Sequence, residues 1–284
     1  MAFVYLNGEY LPEAEAKIPV KDRGLRFGDG VFETITAYSG IPYQWELHLK
    51  RLKESLRTVS ISFSPDTLHA HVLALIQKNA LPDCLLRITI TRGSSDRGYL
   101  PPADVKPTVI IETFPMPQPL AAPVSLWLSS YRKIPAACLP IHTKTLQGLN
   151  SVLARMEASA NGCFEALLLG EKGHICECSS ANIFWAKGDT LFTPSLECGI
   201  LPGTTRDAVI RLSPYKVAQG FFTLEQLQEA DEIFLTNVSM RTIPVQKLSW
   251  VDTEWKTHDR AAELNTLMKR DIEKYVAARN AAVV

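Results

Sequence analysis

The stretch that most constrains this chain is Pro115-Met-Pro-Gln-Pro-Leu-Ala-Ala-Pro123, with four prolines in nine residues. Proline fixes φ and lacks an N–H, so neither a helix interior nor a central strand can run through it. The chain is 284 residues long, which exceeds what one ordinary core fills. The proline run therefore reads as a linker over 116–123. It separates a small N-terminal α/β domain over 1–115 from a larger C-terminal domain over 124–284.

Ahead of the linker, Phe3–Leu6 followed by Asn7-Gly8 reads as a strand and a tight turn. Asp22-Arg-Gly-Leu-Arg-Phe-Gly-Asp-Gly30 reads as a glycine-rich loop feeding a strand over Val31–Tyr38. Gln44 to Val59 carries Trp45, Leu49, Leu52, Leu56 and Val59 at spacings of four and three, which predicts an amphipathic helix. A second helix is expected from Thr67 to Lys78, and strands over Leu85–Thr91 and Thr108–Phe114.

Beyond the linker a strand is expected over Val124–Tyr131, then a loop with Lys144 and a helix to about Ala160. Four short strands follow, over Phe164–Leu169, His174–Glu177, Asn182–Trp185 and Thr190–Thr193, and suggest a meandering sheet. A helix starts near Leu201-Pro-Gly-Thr-Thr205, and a long one closes the chain from His258 to about Arg279. Strands and helices mixed in this way predict an α+β protein.

Thirty basic and thirty acidic side chains leave no excess charge to attract nucleic acid. No apolar run reaches the length of a membrane span. The first ten residues read as strand and turn, not as a signal peptide, and the six cysteines are irregularly spaced. Reduced thiols and a cytoplasmic protein are expected. The six histidines show no metal-ligand spacing, so no metal is expected.

Two segments carry candidate chemistry. Lys144 lies in a loop ahead of a helix, and Glu177 lies in Cys176-Glu-Cys-Ser-Ser180 one short hairpin later. A lysine could make a Schiff base with an aldehyde cofactor, and a carboxylate could sit on its ring nitrogen. Either residue alone is ordinarily solvated. The free N–H groups at the Thr204-Thr205 helix start form a natural phosphate site, although an ordinary capped helix looks the same in sequence.

Taken in order, these segments resemble the class IV aminotransferases, the pyridoxal-phosphate enzymes of fold type IV. The resemblance rests on Asp22-Arg-Gly-x-x-Phe-Gly-Asp-Gly-Val-Phe-Glu-Thr34, His48-Leu-Lys-Arg51-Leu, Lys144 with its helix, Glu177-x-Ser-x-x-Asn182-Ile-Phe, and Gly199-Ile-Leu-Pro-Gly-Thr-Thr-Arg206. It implies a C-terminal domain with a mixed, barrel-like sheet. It also implies pyridoxal 5'-phosphate on Lys144, with Glu177 on the pyridine nitrogen and Leu201 packed against the ring. The phosphate would fall to Arg51, Thr204 and Thr205, and Asn237 joins the cofactor set. A homodimer is implied too, with the active site between the domains.

Within that family the substrate loop, Arg92-Gly-Ser-Ser-Asp-Arg97-Gly-Tyr99, resembles the aminodeoxychorismate lyases, as does Thr236-Asn237. Such lyases make 4-aminobenzoate and pyruvate from 4-amino-4-deoxychorismate. On this resemblance Arg97, Tyr99 and Phe32 face the small amino substrate. Many such lyases and the D-amino acid transaminases have Asn where this chain has Gln147. Branched-chain transaminases have a tyrosine where it has Leu149. A D-amino acid or branched-chain-type transaminase is the alternative.

Overall fold

The computed structural model describes residues 2–281. The chain divides into two compact units. The first holds the described residues up to Pro117, Thr143–Gly148 and the described residues from Ile272 onward. The second holds Gln118–His142 and Leu149–Asp271. The Lys144 loop thus groups with the N-terminal half, not with the sequence around it.

In the first unit the elements are β1 (Phe3–Leu6), β2 (Glu9–Pro12), α1 (Arg23–Phe27), β3 (Gly30–Tyr38), β4 (Ile41–Pro42), α2 (Trp45–Thr58), α3 (Leu68–Lys78), β5 (Cys84–Thr91) and β6 (Thr108–Pro115). The strands form one antiparallel sheet in the order β2-β1-β6-β5-β3-β4. Strand alternation sorts its two faces. Leu86, Ile88 and Ile90 of β5, with Ile35 and Ala37 of β3, pack against Leu52 and Leu56 of α2 and Val72 and Leu75 of α3. Phe32 and Arg87 alternate out of that core to the other face. The stretch read as a loop before β3 contains the short helix α1. Asp22 accepts the Gly24 N–H and caps its start, and Gly28, at φ 64, closes its end.

In the second unit come β7 (Val124–Arg132), α4 (Leu149–Ala160), β8 (Glu165–Leu169), β9 (Ile175–Cys178), β10 (Asn182–Lys187), β11 (Thr190–Pro194), α5 (Thr204–Leu212), β12 (Lys216–Gly220), α6 (Leu224–Gln228), β13 (Glu232–Asn237), β14 (Arg241–Leu248) and most of α7 (Asp259–Ala281). The curled sheet is mixed, in the order β12-β11-β10-β13-β14-β7-β8-β9. The expected meander of four strands is broken after β9. Ser179 and Ser180 turn the chain back by donating to the Glu165 carboxylate, and β10 then pairs with β13. One core lies around Trp185, Leu235 and Val245. A second lies around Phe184 and Phe234, whose rings stack at 5.3 Å, under Val209 of α5 and Leu264 and Met268 of α7.

Candidate functional site

Lys144 is held by the free edge of β3. The Phe32 N–H donates to the Lys144 carbonyl at 2.9 Å, and the Leu146 N–H donates to the Gly30 carbonyl at 3.0 Å. The lysine loop therefore runs like a short extra strand, with Val31 bridged to Thr145. Gly30 permits this approach, because a Cβ there would stand 2.7 Å from the Leu146 side chain. The Lys144 Nζ lies 4.3 Å from the centre of the Phe32 ring, and the Arg87 guanidinium carbon lies 4.2 Å from it. An amine and a half-buried guanidinium share one aromatic platform. Burial lowers the pKa of Arg87, the nearby Glu112 opposing the shift.

Arg51 pairs with Glu33, the residue after Phe32 on β3. It is buried on α2 and grips Glu33 with two bonds, Nε to Oε1 and Nη2 to Oε2, each 2.7 Å. His48, one turn earlier, lies 2.8 Å from Glu33 Oε2 through Nδ1. Glu33 is desolvated, yet the charge and hydrogen bonds of Arg51 outweigh this together with His48 and pull its pKa down to about 2. Burial pushes His48 below its ordinary pKa, against the pull of Glu33. The lowered pKa favours the neutral imidazole, the form that would donate Nδ1–H to the Glu33 carboxylate.

The loop carrying Arg97 and Tyr99 is stapled at its base. Arg23 donates to the Ser95 hydroxyl and to the Gly98 and Tyr99 carbonyls, and Lys21 pairs with Asp96 at 2.6 Å. Arg97 and Tyr99 themselves stand exposed, Tyr99 at 85 %. Arg23, Phe27, Asp29, Tyr99 and Gln147 line an open cavity of about 460 Å³. The Gln147 amide donates to the Phe27 carbonyl at 3.0 Å, which ties the lysine loop to α1.

The second unit gathers the other predicted residues. Glu177 on β9 is buried. Its Oε2 accepts from the Leu201 N–H at 3.0 Å and from the Asn182 amide at 3.1 Å. Its Oε1 accepts from the Lys133 ammonium at 2.5 Å. Asn182 also donates to the Leu201 carbonyl, and so fixes that residue on both sides of its peptide chain. Gly203 leaves room for the Asn182 side-chain oxygen, which a Cβ would meet at 2.2 Å. Thr204 and Thr205 open α5 with no side-chain cap on its first N–H groups. Asn237 ends β13, but its side-chain oxygen is taken by its own turn, accepting from Met240 N–H and Ser239 Oγ. The preceding Thr236 hydroxyl is buried with no hydrogen-bond partner among the described residues. Cys176 and Cys178, flanking Glu177, are buried thiols, and desolvation pushes Cys176 up to about 12.

The donor set fits pyridoxal phosphate. The first unit holds an amine, and the second holds a buried acceptor carboxylate and an uncapped helix start, the groups that its aldehyde, ring nitrogen and phosphate require. Glu33, His48, Arg87, Lys133 and Asn182 were not picked out as site residues in the sequence. His48-x-x-Arg51 carried a signal in its spacing of three on one helix, and Glu33 and Asn182 stood inside motifs that carry the family resemblance.

Such a set defines a cofactor-dependent enzyme of amine chemistry. The chain matches the family described as amino-transferase class IV over residues 30–248. It is 38 % identical over 248 residues to a putative branched-chain-amino-acid aminotransferase of Methanocaldococcus jannaschii, covering 85 % of this chain and 86 % of that one. It is 31 % identical to the aminodeoxychorismate lyase of Bacillus subtilis, over 96 % of each chain. The solved branched-chain aminotransferase of the thermophilic archaeon Thermoproteus uzoniensis superposes with a TM-score of 0.89 at 27 % identity, covering 97 % of each chain. Another solved branched-chain amino acid aminotransferase, holding pyridoxamine 5'-phosphate, superposes with a TM-score of 0.87 at 29 % identity, covering 98 % of this chain and 93 % of that one. The chain belongs to the class IV aminotransferase family, a pyridoxal-phosphate-dependent group of fold type IV.

Proposed function

We propose that the protein is an aminodeoxychorismate lyase, releasing 4-aminobenzoate and pyruvate from 4-amino-4-deoxychorismate. The observation that carries the reading is the Phe32 ring, which the Arg87 guanidinium and the Lys144 amine each approach. A substrate with two carboxylates gains from that cation and from Arg97 on the exposed loop, whereas an aliphatic side chain gains nothing from either. Leu149 points the same way. It is 68 % exposed at the start of α4, where the branched-chain transaminases carry a tyrosine.

When bound, the cofactor supplies an aldehyde for an amine and a ring that accepts an electron pair. Lys144 would hold it covalently, and its freed Nζ would take the proton from the substrate carbon bearing nitrogen. Glu177 would accept the ring N–H, and Leu201 would lie against the ring. Arg51, with the N–H groups of Thr204 and Thr205, would take the phosphate, with Asn237 beside them. Arg97 and Tyr99 would close on the substrate, with Phe32 beneath it. We further place the enzyme in the cytoplasm as a homodimer. Size measurement in solution checks the dimer.

Purified protein given aminodeoxychorismate and no keto acid should form 4-aminobenzoate. The second reading, a transaminase, rests on the 38 % identity to the M. jannaschii relative. Product from leucine or D-alanine only with 2-oxoglutarate, and none from aminodeoxychorismate, would establish that reading and remove the lyase.

A further inference from the structure

We propose that Lys133 is a positioning residue for the cofactor's ring nitrogen, acting through Glu177. It keeps the shared proton on that nitrogen and off the carboxylate. The inference rests on the assignment of Glu177 to the ring nitrogen.

Lys133 follows β7, and its N–H donates to the Leu169 carbonyl of β8, which fixes where the side chain starts. Its ammonium reaches the Oε1 edge of Glu177, while Oε2 is occupied by the neutral donors Leu201 N–H and Asn182 Nδ2. The pair is largely out of water, with side-chain exposures of 22 % for Lys133 and 7 % for Glu177. It is thus unlike an exposed surface pair, which would contribute little.

The arrangement decides where a proton rests. A pyridine nitrogen facing a carboxylate can share its proton in two ways, as a charged pair or as a neutral pair with the proton on oxygen. Away from water the neutral pair is favoured, since burying separated charge is costly. A cation touching the carboxylate reverses this. Lys133 attracts the carboxylate charge at contact distance and repels the ring cation only from farther away. Net, it favours the protonated nitrogen, and only that form draws electrons from the substrate strongly. Arg206, whose pKa responds to the charge of Glu177, supplies more distant positive charge to the same region. Buried Cys176 and Cys178 offer no competing cation.

The test uses holoenzyme reconstituted with pyridoxal phosphate isotopically labelled at the ring nitrogen, read by its nitrogen resonance. Borohydride-reducible attachment at Lys144 confirms loading in each variant. Glu177→Gln calibrates the scale by moving the resonance toward the unprotonated position. Lys133→Met should move it in the same direction by a resolvable part of that displacement, and Lys133→Arg should return it to the wild-type position. Lys133→Gln serves as the second variant, should the methionine protein fail to fold. The inference is overturned if Lys133→Met and Lys133→Gln leave the resonance in place while Glu177→Gln displaces it. A resonance that Glu177→Gln does not move overturns the Glu177 assignment itself, and the role of Lys133 falls with it.

Discussion

At the scale of single residues, the buried group with most at stake is Glu33. Two bonds from Arg51 and one from His48 converge on a carboxylate that is 1 % exposed. Removing one member of a buried ionic set leaves the other charge without compensation, which costs about 3–5 kcal/mol. Glu33→Gln should lower the unfolding free energy by that order, read from urea denaturation. It should also weaken cofactor retention, because Arg51 loses its aim. The same cluster sets an acid limit. His48 titrates below its ordinary value of 6.5 in the fold, so the unfolded chain binds the proton first. Stability contributed by a neutral His48 is therefore lost as pH falls below that value. Glu33, with a folded pKa of about 2 against 4.5, contributes fully above 4.5 and loses its contribution as pH falls toward 2. Urea midpoints measured from pH 7 downward should fall in two stages. In His48→Asn the upper stage should shrink, and a profile with both stages intact would contradict the neutral imidazole.

At the scale of elements, what the sequence showed depended on whether a pattern was local. Helices α2 and α3 and strands β3 and β5 were readable because apolar periodicity runs their whole length. Helix α1 was hidden by its glycines. It is made by Asp22, whose Oδ2 also accepts from Thr91 and Thr108 hydroxyls far along the chain. Strand β14 was hidden by Pro244, which pairs opposite Phe234 inside the sheet. Strand β12 has little alternation and forms only by parallel pairing with β11. The substrate-side loop shows how tightly such non-local elements are built. Gly93 sits at φ +95, and a Cβ there would lie 1.8 Å from the Lys106 carbonyl oxygen. The Gly93 carbonyl meanwhile accepts the Arg23 N–H at 2.8 Å. Gly93→Ala should therefore displace the loop that presents Arg97 and Tyr99. The expected outcome is a raised KM with cofactor absorbance unchanged, because Lys144 and its β3 edge are untouched. Loss of cofactor in that variant would show that the loop strain spreads further than its own hydrogen bonds.

At the scale of the whole molecule, two segments group apart from their neighbours in sequence. The units divide between Pro117 and Gln118, and Thr143–Gly148 and the described residues from Ile272 group with the first unit. Nothing in their residue types announces this. The lysine loop is recruited by backbone bonds to β3, which leave no side-chain signature. The pairings of Glu33 with Arg51 and Lys133 with Glu177 are likewise products of tertiary approach. The return of α7 is recorded only in contacts. The Tyr275 hydroxyl accepts from the Trp45 N–H at 3.1 Å and donates to Glu46 at 2.9 Å, while Arg279 pairs with Glu46 at 2.7 Å. Gln44, ahead of α2, is left-handed at φ 53 and makes no side-chain cap. A residue 230 positions away in sequence thus satisfies the first N–H of the helix that carries His48 and Arg51. Burial and Glu46 hold the Tyr275 phenol up to about 12, so it stays neutral and keeps both bonds at working pH. The Glu46–Arg279 pair is largely exposed and contributes little by itself. Tyr275→Phe should therefore carry most of the effect, about 1–2 kcal/mol of local stability at the start of α2. Hydrogen exchange should then quicken at Trp45 and at neighbouring amides in the first turn, while β5 amides stay protected. Arg279→Ala should change these rates little. Equal protection in the Tyr275→Phe protein and the wild type would mean that α2 holds its first turn without the C-terminal helix.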